Sequence, residues 1–515
     1  MTRVFFAFFI FLYFNAPAQN VRVTFSEHFS LRDRGMSEKD GSTLQRGEYF
    51  YCLETVYKSL QFAYTAKLDK IKYGLNVYKY DGNMKEIGEG KLQSGDKSFG
   101  PFQPIITFFA GRILIFYYHA QEDYSIQLLY STVDPESLAV SAGKTIYTIS
   151  EKNVGFFKLE TAVMSNRIKL SLSPDSSRLM VSQSGNSNEL FSCVLKPDLS
   201  VEKAVETKIQ ANMEEFAVLD VRLDGSGNRY FTCVYTDGKA RKSGVLIYNS
   251  DAKEKFLSFG EAAEGDGAGA LSLVLSKQDG KAFLFGASSM WHLEAGVIEA
   301  SLDASGLKLG TPVVCPFSAE LKDRLKKMDY TRKRDGPDIE REIWYTGYLL
   351  EDGTLAVMGV PIHRFSYTTS SGVNVMKQYA GPVIQVFFHD GQSRVGVIYR
   401  NQAASEAAAP IGIPYGNKLI CIYNDTEKAI GSDDPHINDK VKDVDELVLA
   451  VAVFGNDGTI LSKKELAGKA GGPNFFTGYV QQLSGKEYLI PMARDKVNLA
   501  RYYTELEQWA TVHIE

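Results

Sequence analysis

Paired hairpin turns recur along this chain at intervals of 51 to 73 residues, a pattern that few architectures can hold. The first turn of each pair centres on positions 47, 111, 176, 227, 280, 353, 416 and 485, and seven of these eight positions are Gly. A second turn follows each one after another alternating run. These second turns fall at 80–83, 133–136, 196–199, 249–252, 302–305, 389–392, 456–459 and 505–508. Asp-Gly and Asn-Asp pairs between alternating strands are hairpin chemistry, because Gly accepts the positive φ of tight turns at no steric cost. Two hairpins per unit imply four strands, a to d in chain order, in eight units of roughly 60 residues.

A four-stranded sheet that is apolar on both faces cannot stand alone. Stacking such sheets radially about an axis buries both faces. The expected fold is therefore an all-β, eight-bladed β-propeller, with seven blades as the alternative if one weak copy is false; two β-sandwiches are the competing arrangement. Composition agrees: 28 Tyr, 31 Phe and 44 Gly against 3 Trp suit strands and turns. Ring closure is expected to join the N-terminal strand 21–29 to the terminal run 510–514. Cys52, Cys233 and Cys421 fall at one repeated place, each a few residues after a turn. In equivalent strands of distant blades they cannot approach within the ~7 Å Cα limit for a disulfide, so buried thiols are expected.

The run Leu172-Ser-Pro-Asp-Ser-Ser-Arg-Leu-Met-Val181 resembles the repeat motif of WD40-like, TolB-type propellers: a strand, Ser-Pro-Asp-Gly, then a short apolar strand. The other copies keep only the turn and the alternation, and the Gly-His and Trp-Asp pairs of true WD repeats are missing. The resemblance implies the fold, and function does not follow from fold.

Three insertions interrupt the repeat, at 315–342, 360–381 and 424–446. All belong to the b–c or d–a connections, which in a propeller share one face, and long loops on a rigid scaffold are where function usually sits. The first insertion should hold one short helix over 318–328, with Ser318 as N-cap and Glu320 in its first turn. It continues through Arg332 and Arg334, and its segment 321–334 has seven basic and two acidic residues. The third has eight acidic and three basic residues, including Asp433, Asp434 and His436. Mutual electrostatic pairing of these two segments is one reading. A cation site is the other, since hard Ca²⁺ takes several carboxylate oxygens, although the spacing fits no calcium-loop signature. The second insertion is read as a hydroxyl-rich loop around 367–372, with His363, Arg364, Phe365 and Tyr367 beside it; ordinary loop packing is one reading and a site for a glycan or a peptide the other.

The chemistry of known enzymes is hard to find. Seven scattered His show no paired ligand spacing, and there is no GxSxG, no GxxxxGK and no CxxC. No cofactor is expected. A net charge of −5 and the lack of a basic arm argue against nucleic acid. Residues 1–18 read as a secretory signal peptide: Arg3, an apolar run over 4–14, then Ala16 and Ala18 as a small-x-small cleavage site. The remainder, 19–515, reads as one propeller domain with no transmembrane segment, exported to the periplasm or the exterior as a monomer. The leading reading is a non-catalytic module that binds a protein or cell-surface polymer. A hydrolase or lyase acting on a polysaccharide or peptide, and a structural subunit of an envelope assembly, are the alternatives.

Overall fold

Leu419, Cys421 and Tyr423 pack toward one neighbouring sheet, while Ile420 and Ile422, from the same strand, pack toward the other. The strand Lys418–Asp425 therefore reads as an almost unbroken apolar run, because the pleat sends alternate side chains into two different seams. Val448–Gly455 repeats the arrangement. This double burial is the rule in the computed structural model. It describes residues 21–25, 31–32, 43–47, 49–58, 72–81, 85–93, 98–121, 125–149, 167–184, 189–208, 214–237, 240–250, 253–259, 271–276, 281–288, 295–303, 307–327, 338–368, 374–400, 402–404, 409–430, 432, 447–467, 474–475, 481–484, 486–498 and 501–514.

The described strands form eight antiparallel sheets. Blades 1 to 4 and blade 7 are plain four-stranded units, running in order from Thr43–Arg46 to Glu86–Gln93, Ser98–Phe109 to Lys144–Ile149, Arg167–Leu172 to Val201–Lys208, Glu214–Leu223 to Glu254–Phe259, and Ile411–Tyr415 to Ile460–Ala467. Blade 5 starts at Leu271–Leu275 and splits its outer strand into Lys308–Leu309 and Val313–Pro316. The first strands contact one another from blade 1 round to blade 7, and Gln481–Ser484 of blade 8 returns to Thr43–Arg46. The fold is an eight-bladed β-propeller, as the turn spacing predicts.

An apolar cluster fills each of the seven seams from blade 1 to blade 8. Tyr147 stacks on Phe191 across the seam between blades 2 and 3, with ring centroids 4.0 Å apart. Side chains also staple the inner edges, whose backbone groups have no strand beyond them. Lys169 donates to the carbonyls of Val218 and Leu219, Ser171 Oγ accepts from Leu223 N–H, and Arg222 donates to Leu273 O. Buried backbone groups need such partners.

Closure follows the expected route. Val21–Phe25 lies antiparallel to the last strand, Val21 opposite Ile514 and Phe25 opposite Ala510, so the N-terminal strand is the outermost strand of blade 8; residues 26–29 of the expected strand lie outside the described residues. One expectation fails here. Residues 505–508, read as a hairpin turn, sit inside the strand Arg501–Ile514, where the register slips by one at Glu507. The extra residue is absorbed by a β-bulge, because blade 8 takes its fourth strand from the other end of the chain and needs no turn there.

All five cysteines are buried free thiols; Cys52, Cys233 and Cys421 lie on the second strands of blades 1, 4 and 7. Burial pushes the Cys52 and Cys421 thiols up to about 12, so the nucleophilic thiolate is suppressed. The five thiols should resist maleimide in the native protein and react together on unfolding; labelling of any of them in the folded state, measured by intact mass, would contradict this packing.

Glu299 carries a different burden. Register places it between Phe285 and Val313 in blade 5, and its Oε2 is buried without a hydrogen-bond partner. Burial raises its carboxyl to about 7. A raised acid favours the folded state below the unfolded pKa, near 4.5, and that contribution is lost as pH climbs through 7. Glu299→Gln should match the parent's thermal midpoint at pH 4.5 and exceed it at pH 8; equal midpoints at both values would refute this role.

Candidate binding face

The two faces of the ring are built differently. On one lie the a–b and c–d turns, short and several of them held by carboxylates. Asp224 is the fullest example: it accepts from Ser226 N–H and Asn228 N–H, from Asn228 Nδ2 at 2.6 Å, and from Tyr230 O–H at 2.9 Å. Asp175 accepts from Ser173 Oγ, Ser177 Oγ and Ser177 N–H, which together hold its carboxyl down to about 2. Turns are tied across blades as well: Asn456 Nδ2 reaches Asp352 Oδ2 at 2.8 Å, and Arg178 Nη1 reaches Gly225 O at 2.8 Å. The Asp-Gly signature is thus structural. Asp224→Ala strands the buried Tyr230 hydroxyl and two turn N–H groups and should cost about 2–4 kcal/mol in urea unfolding; a loss below about 0.5 kcal/mol would contradict that assignment.

The opposite face carries the long connections. In blade 6 the strands Asp338–Leu349 and Leu355–Thr368 pair out to Asp338 opposite Phe365, well past the blade itself. Asn374–Ala380 adds to Leu355–Thr368, and Gln402–Ala404 adds to that. The segment 360–381, read from sequence as a loop, is therefore largely a β-hairpin extending the blade, with only 369–373 outside the described residues. Blade 8 extends likewise through Glu487–Asn498 and Arg501–Ile514, and blade 1 through Tyr49–Lys58 and Lys72–Tyr80.

Two helices join them. Helix α1 (Ala319–Lys327) starts at Ser318, whose Oγ accepts from Leu321 N–H at 3.1 Å, the N-cap bond expected from the sequence. Its Leu321 is buried between blades 5 and 6, and Arg324 lies 4.4 Å above the Tyr399 ring. The acidic insertion opens with a single turn, α2 (Glu427–Ile430), whose end is held by Lys463 Nζ bonding Ala429 O and Ser432 O.

Arg400 fastens this face. It is 2% exposed; its Nε donates to Gly381 O at 3.3 Å and its Nη1 to Asn424 O at 3.2 Å. Gly381 ends the blade 6 hairpin and Asn424 begins the acidic insertion, so one guanidinium clasps the roots of both. Asn424 Nδ2 then reaches Phe475 O in blade 8 at 2.8 Å. Below the clasp the seam is unusually polar. Tyr423 is fully buried, and its phenol is raised by burial first, then by the Asp425 carboxylate and the Cys421 thiol, with Arg400 opposing.

Of the residues singled out by sequence, His363, Arg364, Phe365 and Tyr367 share one strand of the blade 6 extension. Arg341 stands opposite His363, and Lys377 opposite Phe365. Asp433, Asp434, His436, Arg332 and Arg334 lie outside the described residues, as does most of the segment where a cation was considered. Among the described residues no group of three or more His, Cys, Asp or Glu converges on one point, and no helix is long and apolar enough to cross a membrane. Sequence reading missed Arg400, because a lone Arg at a strand end has no signature of burial.

No protein-family model matches the chain, and no curated protein does. Solved structures with similar folds exist at low identity. The WD40 domain of SCAP from fission yeast is 9% identical, covering 96% of this chain and 94% of that one, with TM-score 0.38. Quinohemoprotein alcohol dehydrogenase from Comamonas testosteroni is 8% identical over 95% and 76%, with TM-score 0.40. An endo-arabinase from Bacteroides thetaiotaomicron is 11% identical over 57% and 98%, with TM-score 0.26. Likeness at this level concerns the fold and leaves the chemistry to the residues.

Arg400→Ala should destabilise the protein by about 2–4 kcal/mol, since it removes charge-assisted bonds and leaves buried carbonyls unpaired. Amide exchange should quicken around 379–383 and 424–430. Arg394→Ala, an exposed cation at the start of the same stretch, should change neither; matching behaviour of the two variants would dismiss the clasp.

Proposed function

We propose that this chain is an exported, non-catalytic β-propeller that binds a protein or a cell-surface polymer through the face of extended hairpins. One observation carries the reading: among the described residues the long additions of blades 1, 6 and 8 lie on that face, while the other carries short turns, several of them held by carboxylates. A rigid ring fixes the hairpin roots, and loops and hairpins so held are suited to recognition. Export rests on the basic, apolar and small-residue order of residues 1–18. His363, Arg364, Phe365 and Tyr367 belong to this surface through their strand. Asp433, Asp434, His436, Arg332 and Arg334, which lie outside the described residues, are candidates for it from the sequence alone.

The test is differential capture from envelope extract. The intact protein is compared with a variant shortened at 369–373 and 433–446, and with one in which Gly353 and Gly458, on the opposite face, are replaced by Asn, a residue that tolerates positive φ. A component retained by the first and third and lost by the second supports the reading. Equal capture by all three, or loss only in the third, overturns it.

A further inference from the structure

We infer that the seam between blades 3 and 4 holds a small monovalent anion, halide in character, against the buried guanidinium of Arg229; this site is independent of the binding reading above. Arg229 begins the second strand of blade 4, Arg229–Asp237, with Leu223 opposite it on one side and Tyr248 on the other. Alternation along that strand puts it in line with Phe231 and Cys233, which fill the seam toward blade 3. It is 1% exposed. Its Nη1 donates across the seam to Ser192 Oγ at 3.0 Å and to Ser192 O at 3.4 Å, and its guanidinium carbon stands 5.4 Å from the centre of the Tyr248 ring. Its Nε is buried with no hydrogen-bond partner.

The charge sets this arrangement apart. A guanidinium stays protonated in proteins, and a buried charge is destabilising unless a counter-charge or full hydrogen bonding accompanies it. The partly exposed arginines of the same two blades have carboxylates: Arg178 meets Glu202 at 3.1 Å, and Arg222 meets Asp220 at 2.9 Å. Among the described residues no ion pair includes Arg229. Burial lowers its pKa. The groups opposing that shift are Tyr248 and Cys193, both neutral at physiological pH, and the Glu202 carboxylate already committed to Arg178. The Tyr248 ring gives only partial compensation through its face.

The remaining donors select the ligand. Ser192 Oγ accepts from Nη1 and keeps its own proton to donate, so the site offers an N–H at Nε and an O–H at Ser192. A water accepting from Nε would leave the charge unbalanced, whereas an anion balances it. One positive charge calls for one negative charge. Met180, Val194, Phe231 and Leu246 pack the same seam, and these apolar walls suit a small spherical ion better than an oxyanion that needs several more donors.

The full chain is unfolded in urea across a chloride series, with ionic strength held constant by sodium gluconate, whose anion is too bulky for a packed seam. An ion that binds only the folded state raises the folding constant in proportion to its concentration once that exceeds the dissociation constant. The parent should therefore gain about tenfold in folding constant per tenfold rise in chloride beyond that point. Arg229→Met keeps the side-chain bulk, removes the charge and should lose this dependence. Ser192→Ala, milder for folding, should shift it to higher chloride. A bromide-soaked crystal of the parent should show an anomalous peak within hydrogen-bond reach of Arg229 Nε. The same chloride slope in the parent and Arg229→Met, a chloride series no different from gluconate alone, an unshifted Ser192→Ala, or no bromide at Arg229 would each overturn the inference.

Discussion

Everything on the face of long connections depends on a closed ring, and the ring is closed by backbone hydrogen bonds between Val21–Phe25 and the strand that ends at Ile514. That pairing completes blade 8. Each blade is apolar on both faces and stable only between two others. An open ring would leave the facing sides of its terminal blades, 8 and 1, wet. Closure converts eight marginal sheets into one rigid body and fixes which connections share a face.

That rigidity explains how the two faces divide their work. The Asp-held turns spend their polar groups on one another and on neighbouring blades, which leaves a short, self-satisfied surface. The opposite connections are free to lengthen because their roots are anchored lower down. Arg400 shows the principle: buried, it bonds the carbonyls of Gly381 and Asn424 and so sets where two additions leave the ring. Buried polar groups of this kind constrain geometry because each broken bond leaves a partner unsatisfied.

The sequence made the ring legible wherever local chemistry and global fold agree. Positive φ at Gly47, Gly111, Gly227, Gly353 and Gly416 is what the turn reading requires, and the alternating runs on either side reveal the strands. Ser318 was legible as a cap because capping is a local interaction. Blade 8 was misread at 505–508 because a polar stretch with a bulge against Glu487–Asn498 looks like a turn until its second partners, Leu31–Arg32 and Val21–Phe25 near the start of the chain, are known. The hairpin through His363–Tyr367 was read as a loop for a related reason. Past Ile362 the apolar alternation that marks a strand fades in the sequence, although the strands go on pairing to Thr368. Arg400 was invisible because burial of a single cation is decided by tertiary packing alone.

Closure can be tested directly with a cross-link. Thr24 stands opposite Thr511 in the closing pair, and directly opposed strand residues have Cα atoms about 4.5–5.5 Å apart, within disulfide range. In a Thr24→Cys, Thr511→Cys variant the account predicts spontaneous formation of a disulfide in the native protein, a raised thermal midpoint and unreactive native thiols. Failure of the two cysteines to pair in the folded chain, or a midpoint lowered by their bond, would contradict closure of the ring by the N-terminal strand.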